Sequence, residues 1–272
     1  MTTSNSLPDV QSQPFTRASV PLFAGIDQVR VRLLLPQVGE SVGYLRLGAQ
    51  VPDGKRGVHM SRLYREFLHE GIDIVPLDGS LPERVERTAH AQESHELTMA
   101  AGGEFLISRE APITASLGLH PFKLAVRANW NAGVLRWTTR LQGVALLGCP
   151  CSKALSQEAG FHNQRALLTM DVEGLAPHRV TDLLGAVDVA ASSPVYPVLR
   201  REDEKEVIDA IARADRYRFV EDAASALWAE LARLNFDGVS LHVRSLESIH
   251  AHDAVAWAGP VGESLGIPGA VC

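Results

Sequence analysis

Cys149-Pro150-Cys151-Ser152-Lys153, followed by His162-Asn163-Gln164-Arg165, places two of the chain's three cysteines one residue apart with a histidine close behind. Thiolate and imidazole are good ligands for borderline-soft metals, and they also serve as nucleophile and base. The competing reading is two small buried hydrophobes and a loop histidine, since free cysteine is among the most buried residue types.

Glu247-Ser248-Ile249-His250-Ala251-His252-Asp253 is the second chemical segment. His250 and His252 are two residues apart, so in an extended strand both rings project from one face. Glu247 has the opposite parity to His250 and needs a bend to join them. Alone, the pair also fits a solvated strand end. Combined with the cysteine motif it supplies a thiolate and two imidazoles, one ligand short of a tetrahedral set. An exchangeable fourth position is what a catalytic metal requires, because such a metal lowers the pKa of bound water to about 7.

A third segment, Lys55-Arg56-Gly57-Val58-His59-Met60-Ser61-Arg62, gathers basic residues just before an expected helix. Exposed amides and positive charge suit a phosphate chain there, with Arg165 as a planar two-pronged donor. An ordinary capped helix with solvated basic residues is the alternative. Glu221 opens another helix and stands seven residues before Trp228, which places it toward that helix's apolar stripe. A carboxylate so placed can accept two parallel hydrogen bonds from a guanine edge; a first-turn acid favoured by the helix dipole explains it equally well. Arg200 to Glu206 reads as a charged helix start.

The elements that must position these groups follow from hydrophobic periodicity. Strands are expected over 26–36, 41–51, 97–109, 122–130, 134–147, 166–172, 238–245 and 255–257. Helices are expected from Ser61 (as cap) to Gly71, from Leu81 to about Gln92, and over 177–190, 203–214 and 219–234. Asn131-Ala132-Gly133 marks a hairpin turn. Hairpin grouping predicts antiparallel pairing in an α+β fold rather than a doubly wound sheet. Each half runs strands, helices, strands, which suggests two related modules. The expected division is a mobile arm over 1–20, an N-terminal module over 21–115 and a C-terminal module over 116–272.

The 272 residues carry a net charge of −6 with basic and acidic residues mixed, which argues against a nucleic-acid or anionic-membrane surface. Three cysteines make no disulfide framework, no apolar run approaches a membrane span, and the polar N-terminus shows no signal peptide. Cytoplasm is the expected location. No P-loop is present, so any nucleotide is held another way.

Taken in order, these motifs resemble the type IB GTP cyclohydrolases of bacterial and archaeal folate and pterin biosynthesis. The likeness includes Leu7 to Gln11, Gly57 to Arg62, Cys149 to Lys153, His162 to Arg165, Pro197 to Leu199 with Asp203 to Lys205, Phe219 to Asp222, and Glu247 to Asp253. It implies tandem tunnelling-fold (T-fold) modules, with antiparallel sheets carrying helices on one face and closing into an oligomeric barrel. It also implies a homotetramer with active sites between subunits, and conversion of GTP and water to 7,8-dihydroneopterin triphosphate and formate. Carried over by motif, Cys149, Glu204, His250 and His252 would hold a divalent ion, whether zinc, manganese or iron. His162 would be the acid/base residue, Glu247 a second proton-transfer or orienting residue, and Glu221 the guanine anchor. His59, Arg62, Lys153 and Arg165 would meet the triphosphate. Departures include Ala166, where the family commonly has serine, and a poor match over 98–121. The rivals are a sister enzyme on the same fold (a deazaguanine nitrile reductase or a cyclic-phosphate-forming pterin cyclohydrolase) and a non-catalytic purine- or metal-binding protein.

Overall fold

Alternation writes the first hairpin. In β1 (Phe23–Leu35) Val31, Leu33 and Leu35 are buried while Arg30, Arg32 and Leu34 face out. In β2 (Gly39–Gln50) Leu45, Leu47 and Ala49 do the same. Their antiparallel register puts Leu33 opposite Ser41, with a bulge between Ile26 and Val29. The computed structural model describes residues 9–16, 20–68, 74–156 and 160–260.

The chain continues through α1 (Met60–Leu68), β3 (Ile74–Pro76), α2 (Leu81–Ala91), β4 (Glu96–Glu110) and β5 (Leu117–Asn131). Then come β6 (Val134–Gly148), α3 (Pro150–Ser156), β7 (Asn163–Glu173), α4 (Val180–Ala190), β8 (Ser193–Pro194), α5 (Arg201–Arg213), α6 (Val220–Arg233), β9 (Ser240–Ser245) and β10 (Ala254–Ala258). One sheet runs β10-β9-β7-β6-β5-β4-β2-β1-β3, with β8 pairing onto β6. All these pairings are antiparallel except the short β1–β3 ladder. The α+β class with antiparallel pairing is thus as expected.

Helices cover one face: α1 packs with α2, and α4 with α6. Between them and the sheet lies a continuous core containing Leu33, Leu47, Phe67, Leu97, Leu124, Leu141, Leu168, Met170, Leu183, Leu227 and Val243. Each such fully buried side chain contributes about 1.5–3 kcal/mol. The opposite face keeps Val42, Leu106 and Leu119 exposed.

Two long strands, a helical stretch that includes one short strand, and two further strands occur over β1–β5 (the first repeat) and again over β6–β10 (the second), where α3 also separates β6 from β7. The two repeats meet at the Ala132-Gly133 turn, where both residues have positive φ. The expected boundary at 115/116 lies in the loop of the β4–β5 hairpin, whose ladder runs from Glu96 opposite Asn131 to Glu110 opposite Leu117. That hairpin's end is tied to the second repeat by Arg109, whose guanidinium donates to both carboxylate oxygens of Asp188 on α4, at 3.1 and 2.9 Å.

Three local expectations change. The first helix starts at Met60, so Ser61 lies in its first turn rather than capping it. The His59 carbonyl accepts the Arg62 and Leu63 amides, and Gln92, the residue after α2, clamps the His59 backbone. The expected end of that helix at Gly71 lies outside the described residues. Residues 9–16, expected to belong to a mobile arm, lie against the loop before α1: Phe15 donates to Gly54, and Gln11 accepts from Arg56 and Gly57. The third change is α3, a short helix directly after Cys149 where none was expected.

Candidate active site

Gly148 ends β6 and hands the chain to Cys149. A Cβ on Gly148 would stand 2.8 Å from the Phe161 ring, so only glycine lets that ring close over the strand end. The Cys149 amide donates to the His162 carbonyl at 3.0 Å, which brings the thiol and the imidazole to one place from either side of α3. Within α3 the Ser152 amide points at Cys149 Sγ, 3.5 Å away, and the Ser152 hydroxyl accepts the His162 amide. Cys149 is half-buried whereas Cys151 is exposed, so the two thiols are not equivalent.

His162 sits in a hydrogen-bonded chain. Its Nδ1 is 3.0 Å from Gln164 Oε1 and 3.2 Å from Ser248 Oγ; Gln164 Nε2 donates to Glu247 Oε1 at 3.2 Å. A carboxylate accepts, so the Gln164 amide must turn its NH₂ to Glu247 and its carbonyl oxygen to His162. Nδ1 therefore carries the proton, and Nε2 keeps a free lone pair for acid/base work. The bend that Glu247 needed occurs over 248–252.

His250 and His252 lie in that bend, not in a strand. Their rings still stand side by side, with centroids 5.3 Å apart and planes at 24°. Glu204 is exposed on the first turn of α5, seven residues before Ile211 and so on the same helix face. Ile211 lies against Gly148, next to Cys149. Thiol, paired imidazoles and carboxylate suit zinc, manganese or iron in kind. Among the described residues no three His, Cys, Asp or Glu side chains stand close enough together to hold a metal ion. The donors fit such an ion chemically, and the two imidazoles also by placement, but the set is open within one chain.

Beside Glu204, Asp203 is fully buried. Burial works to raise its pKa, but hydrogen bonds from Thr114, Arg200 and Ile113 prevail and hold the carboxyl well below the usual range.

Glu221 lies on the Trp228 side of α6, but that face is open, with Trp228 40% exposed. The buried stripe is Val220, Ala223, Ala224, Leu227 and Leu231, so seven-residue spacing placed the pair correctly and the face wrongly. Glu221, Ser225, Trp228 and Trp257 instead line a groove of about 420 Å³ between α6 and β10.

His59 and Arg62 belong to the first repeat. His59 Nε2 is 3.3 Å from Ser12 Oγ and 3.7 Å from Asp9, and Arg62 donates to the Ala91 carbonyl. No hydrogen bond or ion pair among the described residues joins them to the Cys149–His162 group. Lys153 is exposed, its Nζ 5.8 Å from the Tyr217 ring centre. Arg165 follows Gln164 on β7 and so projects from the opposite sheet face.

Gln164, Ser248, Ser152 and Asp203 received no role from the sequence. Gln164 stands two residues after His162, a same-face spacing that would have been readable only had the strand been expected to begin before Ala166.

Residues 7–256 match the family model described as type I GTP cyclohydrolase folE2. The chain belongs to this family. The FolE2 GTP cyclohydrolase of Nitratidesulfovibrio vulgaris (strain DSM 19637 / Miyazaki F) is 32% identical over 257 residues, covering 91% of this chain and 96% of that protein. The FolE2 of Cupriavidus necator is 31% identical, covering 92% and 93%. Among solved structures, the chain is similar to uricase from Arthrobacter globiformis, with TM-score 0.49 and 8% identity, over 90% of this chain and 94% of that one. As a FolE2 member this chain is an enzyme of the GTP cyclohydrolase I class. Among the described residues no helix is long and apolar enough to cross a membrane.

Proposed function

We propose that this FolE2 protein opens the imidazole ring of GTP, releases C8 as formate and forms 7,8-dihydroneopterin triphosphate in the cytoplasm. The observation that carries the site assignment is the chain Glu247–Gln164–His162, which aims a lone pair from beside Cys149.

In this reading His162 Nε2 takes a proton as water adds to C8 and returns it to a ring nitrogen as the C–N bond breaks. The same exchange serves hydrolysis of the formamide, which frees formate. Ribose then opens and rearranges, and ring closure on the amino groups expels water. Glu247 acts through Gln164, keeping Nδ1 protonated throughout. A divalent ion held by Cys149, Glu204, His250 and His252 would acidify water and so supply the nucleophile at neutral pH. Glu221 accepts the N1–H and amino group of guanine, and the groove beside it has room for a base.

His59, Arg62, Lys153 and Arg165 meet the triphosphate, from more than one subunit. Their dispersal over two repeats and two sheet faces supports a homotetramer with interfacial sites, its sheets closing into a barrel. The exposed Trp257 and Val255 on edge strand β10 also support such assembly.

The test incubates metal-stripped protein with GTP and each of Zn²⁺, Mn²⁺ and Fe²⁺, following formate and pterin fluorescence. Stoichiometric formate and pterin with at least one metal are expected; no product with any of them overturns the reading.

A further inference from the structure

Asp203 is the most heavily bonded buried carboxylate of the described residues outside the His162 group, and the established chemistry makes no use of it. Its Oδ1 accepts the Ile113 and Thr114 amides at 2.9 Å each; its Oδ2 accepts the Thr114 hydroxyl at 2.7 Å and the Arg200 amide at 2.9 Å. Ile113 and Thr114 form the tip of the β4–β5 hairpin in the first repeat, whereas Arg200 is the residue before α5 in the second. One side chain therefore fastens the hairpin tip to the start of the helix that carries Glu204.

The fastening fixes more than a helix cap. A helix held at one point along its length can still rotate about its axis or slide. α5 is held at two, by Asp203 in its first turn and by Ile211 against Gly148 two turns later. Two fixed points set the helix phase, and Glu204 is adjacent to the first and on the same face as the second. The Gly148 contact refers that phase to Cys149. We infer that Asp203 is a positioning residue, through which the β4–β5 hairpin holds Glu204 in its place relative to Cys149. This rests on the reading of Glu204 as a metal ligand.

The test compares wild type with Glu204→Gln, Asp203→Asn, their double variant, Thr114→Val and a control, Thr139→Val. Thr139 is buried on β6, where it bonds Gly174 and Ala176, away from α5. Zn²⁺ and Mn²⁺ affinities are measured by competition with a chromogenic chelator, alongside the Tm of each metal-free protein. Asp203→Asn puts an NH₂ against backbone donors and is expected to weaken metal binding about 10- to 100-fold, the usual effect of disturbing a ligand's support. Thr114→Val, which removes one of four bonds and leaves the carboxylate, should weaken it less and keeps the test open if Asp203→Asn does not fold. The double variant should bind no more weakly than Glu204→Gln, because both changes remove the same ligand. Thr139→Val should lower Tm without changing affinity. Wild-type affinity in Asp203→Asn or, where that variant does not fold, in Thr114→Val, with weakened binding in Glu204→Gln, overturns the inference alone. Wild-type affinity in Glu204→Gln removes Glu204 from the ligand set and the inference with it. Equal weakening by Thr139→Val makes the effect one of general stability and also overturns it.

Discussion

His162 Nδ1 lies 3.0 Å from Gln164 Oε1, and the other end of that amide is turned to Glu247 at 3.2 Å. Because the carboxylate takes the NH₂, the imidazole is held as the Nδ1–H tautomer with Nε2 free. Gln164→Leu removes both bonds at nearly constant volume. It should lower kcat about 10- to 100-fold, less than the roughly 10²–10⁴-fold of general acid–base catalysis because the imidazole itself remains, with little change in KM. Selective ¹⁵N-histidine NMR should show Nδ1–H for His162 in the wild type and a shift toward Nε2–H in the variant. An Nε2–H signal in the wild type would sink the tautomer argument.

The two thiols predict opposite phenotypes. Cys149 is half-buried beside His162, and Cys151 is exposed on α3. Cys149→Ala should abolish formate release and bound metal. Cys151→Ala should retain both, with stability within about 0.5 kcal/mol of wild type, as for a surface change. Metal content and activity of the two purified variants decide it, and the reverse pattern reassigns the ligand.

Glu221→Gln turns one acceptor into a donor facing the guanine N–H groups. The expected result is a fall of at least about 10²-fold in kcat/KM for GTP, since a site built for specific hydrogen bonds loses strongly when they are mismatched. Tm should hardly move, because the residue is exposed. Steady-state kinetics with wild-type values would exclude Glu221 from substrate contact.

His120 supplies a pH-dependent stability. On β5 it is 4% exposed; burial first, and the nearby Arg109 charge second, push its pKa from 6.5 down to about 4. Between those values the unfolded chain binds more protons than the native one, so stability rises with pH across the window. The contribution is complete above about pH 6.5 and is lost as pH falls toward 4, amounting to about 3 kcal/mol. Urea unfolding at pH 4 to 7 should show this slope in the wild type and a flatter one in His120→Gln. Parallel slopes in both proteins would assign the pH dependence to other groups.

Much of this is legible in the sequence. Period-two alternation placed β1, β2, β4, β5 and β6, because one face of each strand is buried and the other is not. Chemistry-bearing residue types marked Cys149, His162 and the His250–His252 pair, which remain neighbours within their segments. Legibility ended where a side chain's surroundings come from distant segments. Trp228 has a spacing that suits a core stripe, yet α6 turns that face to the groove beside β10. Asp203 is one acid in an acidic run, and nothing local distinguishes it from exposed Glu202 or Glu204.

What the sequence determined by itself was therefore the inventory: which groups can do chemistry, which strands and helices carry them, and which family they match. Only the tertiary structure decided their geometry: that Gln164 bridges Glu247 to His162, that Asp203 bolts a hairpin from one repeat to a helix of the other, and that Arg165 leaves by the opposite face. The reason is physical. Periodicity records how each residue meets its own element's buried face, whereas a hydrogen bond between residues 83 positions apart exists only once the sheet has set β7 beside β9.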